Sequence, residues 1–448
     1  MSDRRLDLRL IVPGPGGDTL LVAPGGRVPG QEIVGDEDEA AIVAVTAFLH
    51  EAWSFRTPVL ETHPRWEGVA DDDPIPVLVT TETAAAGWTP PDGLAFAPIP
   101  ATAEGVPDVL APRAAELLEE LRTGAEPPAL RPRWARRGWH VRASRWMTDA
   151  LAAAGRPLLG EPEPFYLRGI SALLRGTTAE GDVFLKAVFP PFHAEPVASR
   201  LLAERFPSRV ARVVAIEPDE GWLIVDDVAA SWVGDLPSEG RRAGLVVGAH
   251  AVVAIQASLA GDLDPFVAAG CPVRPIGDLA AALDAALGPG GVVRSEVRVP
   301  VHRRERAVAA TREAVARVAT LGLPSTIVHG DFHPGNVGLV DERAVIIDWS
   351  DAAVSNPAVD LVTWLAWSRK EPEERKIAID AWSAAWAATG SVEAAAVRAA
   401  RDAILVVGAA YQVVSYDGIL RALEPATRYT MAGGANSFLE ELEAHAPG

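Results

Sequence analysis

The sequence contains a single cysteine, Cys271, among its 448 residues. One thiol excludes an intramolecular disulfide and any metal site built from several cysteines. Positive charge is also scarce, since the formal net charge is −19 at pH 7. Nucleic-acid-binding proteins present a basic face, and anionic membranes also attract positive charge. We therefore expect neither nucleic acid nor a membrane surface as a partner.

Long apolar segments are lacking as well. Residues 1–14 contain no apolar core of about 7–15 residues, so no signal peptide is expected. The longest apolar runs, such as residues 403–411, are shorter than the ~20 residues that a membrane-spanning helix needs. These absences predict a cytoplasmic protein. The chain is longer than a single hydrophobic core usually supports, so two or three domains are expected.

The first 125 residues are predicted to form a separate α/β domain. Its predicted strands and helices are strands 6–12, 19–23, 75–80 and 93–98 and helices 36–53 and 111–123. The order of these predicted strands and helices loosely resembles that of a Nudix-like domain. Such a hydrolase needs a run of metal-binding glutamates on the first helix, and Glu39 and Glu51 cannot supply it. We interpret residues 1–125 as an accessory domain, with metal-dependent hydrolysis as the alternative, and residues 126–160 as a proline-rich linker and junction helix.

The densest polar chemistry lies in residues 325–361. Strands are predicted over 325–328, 337–340 and 344–349, with residues 341–343 as a turn. The polar residues set among these apolar runs are His329, Asp331, His333, Asn336 and Asp348.

The predicted hairpin brings two of these side chains together. With the turn centred on Glu342, Asn336 and Asp348 face each other, with Cβ atoms roughly 4.5–5.5 Å apart. A carboxamide and a carboxylate at that distance can share a hard cation such as Mg²⁺. Asp331, on the preceding loop, would point into the same space and could accept a proton from a substrate hydroxyl. A metal on nucleotide phosphates and a carboxylate that orients the nucleophile are what phosphoryl transfer requires.

The motif HGDFHPGN, followed by IIDW, resembles the aminoglycoside phosphotransferase-like family of kinase-fold small-molecule kinases. The family's Pro-x-x-Asp-Leu is also present at residues 357–361, and the resemblance covers roughly residues 160–448. It implies an α+β, protein-kinase-like two-lobed fold. The N-lobe would span residues 161–228 and the helical C-lobe residues 229–448, with the N-terminal α/β domain as an addition.

The resemblance also implies roles for individual residues. In that family the residue matching Asp331 is the catalytic base, and those matching Asn336 and Asp348 bind magnesium. His329 and Asp360 are expected to brace the loop. His333 either orders the loop or contacts the substrate.

The predicted N-lobe lacks the G-x-G-x-x-G pattern. Its phosphate-covering loop is expected within residues 165–176, with Ser171 and nearby backbone amides as donors. Lys186 resembles the family's phosphate-anchoring lysine, although a lysine that merely protects a sheet edge is the alternative. Its expected partner is Glu195, at the start of a helix, because Glu204 lies about 2.5 turns further on and points elsewhere.

The spacing after Asp348 favours a small acceptor. Eight residues separate Asp348 from Pro357, which leaves no room for the long activation loop that holds a peptide. The acidic surface would attract a cationic acceptor such as an amino sugar or aminoglycoside. Candidates to contact the acceptor are Gln412, Tyr416 and Asp417, and the alternative is a helix end capped by its own polar side chains.

Together these patterns predict Mg²⁺-dependent transfer of the γ-phosphoryl group of ATP to a hydroxyl of a small molecule, with GTP as an alternative donor. Acceptors in this class include sugars, amino sugars, amino alcohols and aminoglycosides. The competing hypothesis is a catalytically silent nucleotide- or ligand-binding regulator of the same fold. The sequence makes no prediction of the oligomeric state.

Overall fold

A computed structural model of the chain describes residues 3–36, 41–66, 68–70, 72–366 and 371–446. The chain divides into two units. The first contains the described residues up to Ala187 together with a short later segment, Leu423–Thr427. The second contains the described residues of Val188–Ala422 and Arg428–Gly448. The division into four segments expected from the sequence, residues 1–125, 126–160, 161–228 and 229–448, stays a prediction.

The first unit mixes strands and helices. Its strands are β1 (Asp3–Ile11), β2 (Thr19–Val22), β3 (Gly30–Asp36), β4 (Val59–Pro64), β5 (Ile75–Thr81), β6 (Ala95–Pro98), β7 (Glu163–Leu167), β8 (Ser171–Thr178) and β9 (Gly181–Val188). Its helices are α1 (Ala41–Trp53), α2 (Ala111–Thr123) and α3 (Trp139–Ala153).

A four-stranded sheet in the order β3-β1-β5-β4 forms the centre of the N-terminal part. Strand β1 pairs antiparallel with β3 and parallel with β5. Leu6, Leu8 and Leu10 of β1 are buried, because alternate residues of a strand share one face. Helix α1 packs against β3 and β4. The predicted strand 6–12 is confirmed, whereas the N-terminal end of the predicted helix 36–53, including Glu39, lies outside the described residues.

Residues 165–176, where the phosphate-covering loop is expected, lie on two strands and the turn between them. Strands β7 and β8 pair antiparallel, and the Arg168 N–H donates to the Ser171 carbonyl at 2.9 Å to close the tight turn between them. Strand β9 carries Lys186 and follows β8 in the same sheet.

A buried ionic cluster lies in the first unit, around Glu424 of the Leu423–Thr427 segment. The Glu424 side chain is 5% exposed and accepts hydrogen bonds from Arg113 at 2.9 and 3.1 Å and from Arg131 at 2.8 and 3.0 Å. Arg131 also pairs with Glu120 at 2.8 Å. Burial raises the pKa of Glu424, but the hydrogen bonds from Arg131 and Arg113 outweigh burial and lower the pKa to about 2.

The second unit is mostly helical. Its helices are α4 (Glu195–Arg205), α5 (Ser238–Leu259), α6 (Asp264–Ala268), α7 (Leu279–Ala286), α8 (Val292–Val297), α9 (Val301–Ala319), α10 (Asp360–Trp364), α11 (Pro372–Ala388), α12 (Ala394–Ala399), α13 (Arg401–Ala422) and α14 (Tyr429–His445). Its strands are β10 (Val213–Glu217), β11 (Trp222–Asp226), β12 (Ser231–Trp232), β13 (Thr326–Val328), β14 (Val337–Val340), β15 (Arg343–Ile346) and β16 (Ala353–Ser355).

Helix α13 forms the centre of the second unit and packs against α7, α9 and α14. It continues to Ala422, so Gln412, Tyr416 and Asp417 lie within the helix. By length and composition, α5 and α13 could each cross a membrane, so the expectation that every apolar segment is too short does not hold. However, 56% of the most apolar segment of α5 and 78% of that of α13 are buried inside the structure, as expected of core helices. Trp382 and Trp386 of α11 are fully buried in the core.

Glu424 gives a prediction for acid stability. We expect Glu424→Gln to destabilise the protein at pH 7, because Arg113 and Arg131 lose their shared carboxylate. In the wild type the pKa falls from 4.5 to about 2 on folding, so the stabilisation is complete above pH 4.5 and is lost as pH falls towards 2. This pKa shift corresponds to a contribution of roughly 3 kcal/mol to the free energy of unfolding. Urea unfolding at pH 7 and pH 3 measures it: the gap between wild type and variant should shrink at pH 3. The exposed Glu126→Gln is the control, and an equal gap at both pH values would contradict the prediction.

Candidate functional site

The hairpin β14–β15 has a turn of only two residues. Val340 pairs with Arg343, and the intervening Asp341 and Glu342 both have positive φ, 48° and 62°. This is the backbone of a type I′ turn, whose twist matches that of the flanking strands. The predicted three-residue turn centred on Glu342 is therefore wrong.

The shorter turn shifts the register by one residue. Val337 pairs with Ile346, and the Ile347 N–H donates to the Asn336 carbonyl at 3.0 Å. Asn336 thus lies opposite Ile347 and not, as predicted, opposite Asp348. A shift of one residue moves every side chain to the other face of a strand. The side-chain direction of Asp348 must therefore be set by something other than strand alternation.

A left-handed backbone at Asp348 sets that direction. Strand β15 ends at Ile346, and Asp348 has a φ of 61°, which is uncommon for a residue other than glycine. Its carboxylate accepts a hydrogen bond from Ser350 Oγ at 2.7 Å. Backbone conformations of this kind cost free energy and cluster at functional sites.

His329 connects the loop 329–336 to the strand end. It is fully buried, and its Nε2 lies 2.9 Å from the Ile347 carbonyl oxygen. A carbonyl can only accept, so Nε2 carries the proton, and Nδ1 accepts the Asp331 N–H at 3.3 Å. This neutral tautomer uses both ring nitrogens to shape the loop.

Asp360, at the start of α10, holds the beginning of the loop. It is fully buried and accepts the N–H groups of His329 at 2.9 Å and Gly330 at 2.8 Å. The Gln256 side chain donates a third hydrogen bond at 2.7 Å. Burial raises the pKa of Asp360 to about 7, against the lowering effect of these three donors.

Asp331 is the accessible acid of the loop. Its side chain is 46% exposed, and one carboxylate oxygen lies 3.6 Å from His333 Nε2. His333 Nδ1 accepts the Gly335 N–H at 3.0 Å, so the ring proton is on Nε2 and faces Asp331. Asn336 Nδ2 donates to the Asp331 carbonyl at 3.0 Å, which leaves its Oδ1 as the oxygen available to a cation.

The sequence reasoning missed Asp351. Burial, together with the charges of Asp331 and Asp348, raises the pKa of Asp351 to about 7, while Arg274 opposes the rise. Asp351 also accepts a hydrogen bond from Ser415 Oγ of α13 at 3.2 Å. Three carboxyl groups therefore influence one another here. The only sequence signal was a second aspartate three residues after Asp348.

The three acceptor candidates on α13 have different surroundings. Gln412 donates from Nε2 to the Gly330 carbonyl, which places it against the loop. The Tyr416 ring packs 5.9 Å from that of Phe438. Asp417 accepts the N–H groups of Val292 and Val293 at 2.6 and 3.0 Å, so it caps the start of α8 rather than its own helix.

The residues expected to contact the nucleotide phosphates, or to orient such a residue, belong to both units. Ser171 begins β8 and the buried Lys186 lies on β9, both in the first unit. The buried Glu195 opens α4 in the second unit, where Glu204 is exposed. The pairing of Lys186 with Glu195 stays a prediction. Among the described residues, no group of three or more His, Cys, Asp or Glu side chains could hold a metal.

Comparison with known proteins identifies the class. Residues 165–392 match the family model described as "Phosphotransferase enzyme family". The chain therefore belongs to this phosphotransferase family. No curated protein sequence matches it.

A solved structure agrees in fold, and two further structures are similar to parts of the chain. The GDP complex of an aminoglycoside 2'-phosphotransferase-IIIa is 15% identical with a TM-score of 0.50, and the match covers 67% of this chain and 98% of that one. Macrolide 2'-phosphotransferase MphH from Brachybacterium faecium is 22% identical with a TM-score of 0.44, covering 68% and 99%. A choline/ethanolamine kinase family protein from Mesorhizobium loti is 17% identical with a TM-score of 0.43, covering 68% and 97%. The kinase-like fold predicted from the motifs is confirmed, whereas the Nudix-like detail stays a prediction.

Gly330 should be intolerant of any side chain. Its φ is 82°, and an added Cβ would collide with the Asp351 carbonyl oxygen and lie 2.7 Å from Asp351 Cβ. Gly390 is a matched control, because its φ is 78° but its surroundings are open. We expect Gly390→Ala to lose about 1 kcal/mol of stability from backbone strain alone. Gly330→Ala should lose roughly 1–3 kcal/mol more through the collision. Urea denaturation tests both, and equal losses would show that Asp351 does not confine the loop.

Proposed function

We propose that this chain transfers the γ-phosphoryl group of ATP, with GTP as an alternative donor, to a hydroxyl of a small molecule in the cytoplasm. The observation that carries the proposal is the loop 329–336 of a phosphotransferase-family chain. Asp360 and His329 hold this loop in place, and it presents the half-exposed Asp331 carboxylate beside the Asn336 amide. A catalytic carboxylate needs both a fixed position and access to substrate.

Asp331 would act on the acceptor. Its exposed carboxylate can accept a hydrogen bond from the attacking hydroxyl, orient its oxygen towards the phosphorus and take its proton as the bond forms. The protonated Nε2 of His333, 3.6 Å away, favours the charged carboxylate before the transfer. His333 and His329 therefore act on the position and charge of Asp331 rather than on the substrate.

The donor set around the loop suits Mg²⁺, which prefers oxygen ligands and retains waters and phosphate oxygens alongside one or two protein ligands. Asn336 Oδ1 and the Asp348 carboxylate would hold the ion. The hydrogen bond from Asn336 Nδ2 to the Asp331 carbonyl turns the amide oxygen away from the loop backbone. When bound, Mg²⁺ would neutralise charge on the nucleotide phosphates. On the nucleotide's other side, Lys186, oriented by Glu195, and Ser171 would contact the phosphates.

The acceptor would be a cationic or strongly polar hydroxyl compound, such as an amino sugar, amino alcohol, sugar or aminoglycoside. Asp351 adds a carboxyl group beside Asp331 and Asp348, and the whole chain carries a net charge of −19. Both features favour a positively charged small molecule. Gln412, which contacts the loop at Gly330, is the best placed of the acceptor candidates on α13, ahead of Tyr416 and Asp417.

The central test replaces Asp331. We expect Asp331→Asn to lower kcat roughly 100- to 10,000-fold, because the amide cannot take the hydroxyl proton. ADP release from ATP with Mg²⁺ should be followed over a panel of amino sugars, amino alcohols and aminoglycosides. ATP affinity should stay close to that of the wild type, since the variant keeps the phosphate-binding residues. Exposed Asp278→Asn serves as the control. ATP binding by the wild type without turnover on any acceptor would instead support the silent regulator.

A second test separates metal binding from proton transfer. We expect Asp348→Asn to raise the Mg²⁺ concentration for half-maximal rate by about tenfold or more, because one charged ligand is lost. Asp341→Asn is the matched control: it also has positive φ, 48°, but lies at the exposed hairpin turn. Mg²⁺ titration of the rate measures both variants. An unchanged Mg²⁺ requirement in Asp348→Asn would remove Asp348 from the proposed metal site.

A further inference from the structure

A basic stretch stands out in this acidic chain. Residues 127–148 contain no aspartate or glutamate, although the chain has a net charge of −19. The arginines in this stretch are Arg131, Arg133, Arg136, Arg137, Arg142 and Arg145. Their positions in the first unit show that several of them share one cavity.

The cavity has a volume of about 480 Å³. Its walls come from the turn after β1, the ends of β4 and β5, the last turns of α2, and residues 124–142. A volume of this size suits a small-molecule ligand. All of these elements belong to the first unit, and none of them carries a residue of the proposed phosphotransferase site.

The acidic groups in the cavity wall already have partners. Glu120 pairs with Arg131 at 2.8 Å, and Glu61 lies 3.4 Å from both Arg113 and His63. Arg131, 2% exposed, is in turn neutralised by Glu120 and Glu424. This part of the wall is therefore balanced in charge.

The other guanidinium groups of the cavity wall do not form ion pairs of the kind that neutralises Arg131. Arg136 donates to the backbone carbonyls of Arg131, Pro128 and Ala129 at 3.0–3.2 Å. Arg142 donates to the Gly138 carbonyl at 3.2 Å. These carbonyls carry no charge. The carboxylate of Glu82 interacts electrostatically with both Arg142 and Arg137, so these two guanidinium groups share this acid.

Arg137 is the clearest case. Its guanidinium makes no hydrogen bond to another residue that the structure describes. Arg137 as a residue is exposed, as Arg142 and Glu126 are, but partial desolvation of its guanidinium lowers its pKa, against the opposing charges of Glu82 and Glu120. Glu82 already accepts the Gly138 N–H at 2.6 Å, and burial raises its own pKa. The other acid at the cavity, Glu126, is exposed.

A turn with two glycines lies in the cavity wall, and one of them is close to this arginine. Gly16 and Gly17 line the cavity with φ values of 94° and 81°. A Cβ on Gly17 would lie 3.9 Å from Arg137 Nη1. Because glycine has no side chain, this turn leaves the cavity open beside the guanidinium of Arg137.

We infer that this cavity binds a small molecule bearing an oxyanion, either a phosphate or a carboxylate. Arg137 and Arg142 would hold the oxyanion, because guanidinium groups match the paired oxygens of both groups. Arg136 and the turn at Gly16 and Gly17 would form the edge of the site. The inference does not depend on the proposed function, because none of these residues takes part in it.

The test is calorimetric titration of the full chain with inorganic phosphate and, separately, with citrate, at constant ionic strength set by chloride. We expect saturable binding of at least one, and the comparison identifies the oxyanion as phosphate or carboxylate. Arg137→Gln/Arg142→Gln should weaken binding at least about tenfold, since both charge-assisted hydrogen bonds to the oxyanion are lost. Arg145→Gln, an exposed arginine of the same helix outside the cavity, should bind like the wild type.

Hydrogen exchange locates the bound ion. Ligand should slow exchange in peptides covering residues 14–19 and 131–142, equally in the wild type and in Asp331→Asn. The inference is wrong if neither compound binds saturably, or if the double variant binds as the wild type does. It is also wrong if protection appears only at residues 329–348. Should the double variant fail to unfold cooperatively, Arg137→Gln alone takes its place in the same comparison.

Discussion

The buried carboxylate of Asp360 is the contact on which the site depends. Its two oxygens accept the backbone N–H groups of His329 and Gly330 and the side chain of Gln256. Two consecutive amides bound to one carboxylate fix the start of the loop, and His329 then fixes its relation to the strand end through Ile347. The contacts of Asp360 and His329 therefore fix the positions of the later side chains of the loop, including Asp331. Rigid support of this kind is what an exposed catalytic group requires.

Much of this arrangement follows from local sequence patterns. Strands β13 and β14 and the helix that opens at Glu195 have the predicted positions. Alternation and turn residues determine such elements locally. The register of the hairpin does not follow in the same way. Residues 341–343 are all compatible with a turn, and only the pairing of Arg343 with Val340 shows that the turn has two residues.

The features that the sequence did not predict depend on contacts between distant residues. Asp351 matters because Gly330, Ser415 and two other acids surround it, and these come from separate elements. Asp417 was considered as an acceptor contact, yet its carboxylate caps α8, more than a hundred residues earlier in the chain. Side chains of the same type thus serve as cap, brace or exposed acid. Burial and hydrogen-bond partners decide between these roles.

The position of Leu423–Thr427 bears on how this chain can be divided. Helix α13 supplies Gln412 to the loop, and two residues after its end the chain places Glu424 among Arg113 and Arg131 of the first unit. The chain then returns to the second unit as α14. The N-terminal region is therefore not a detachable module joined by one linker. A gene fragment beginning after Ala187 would encode Glu424 without either arginine, and its buried carboxylate would be left without these two partners.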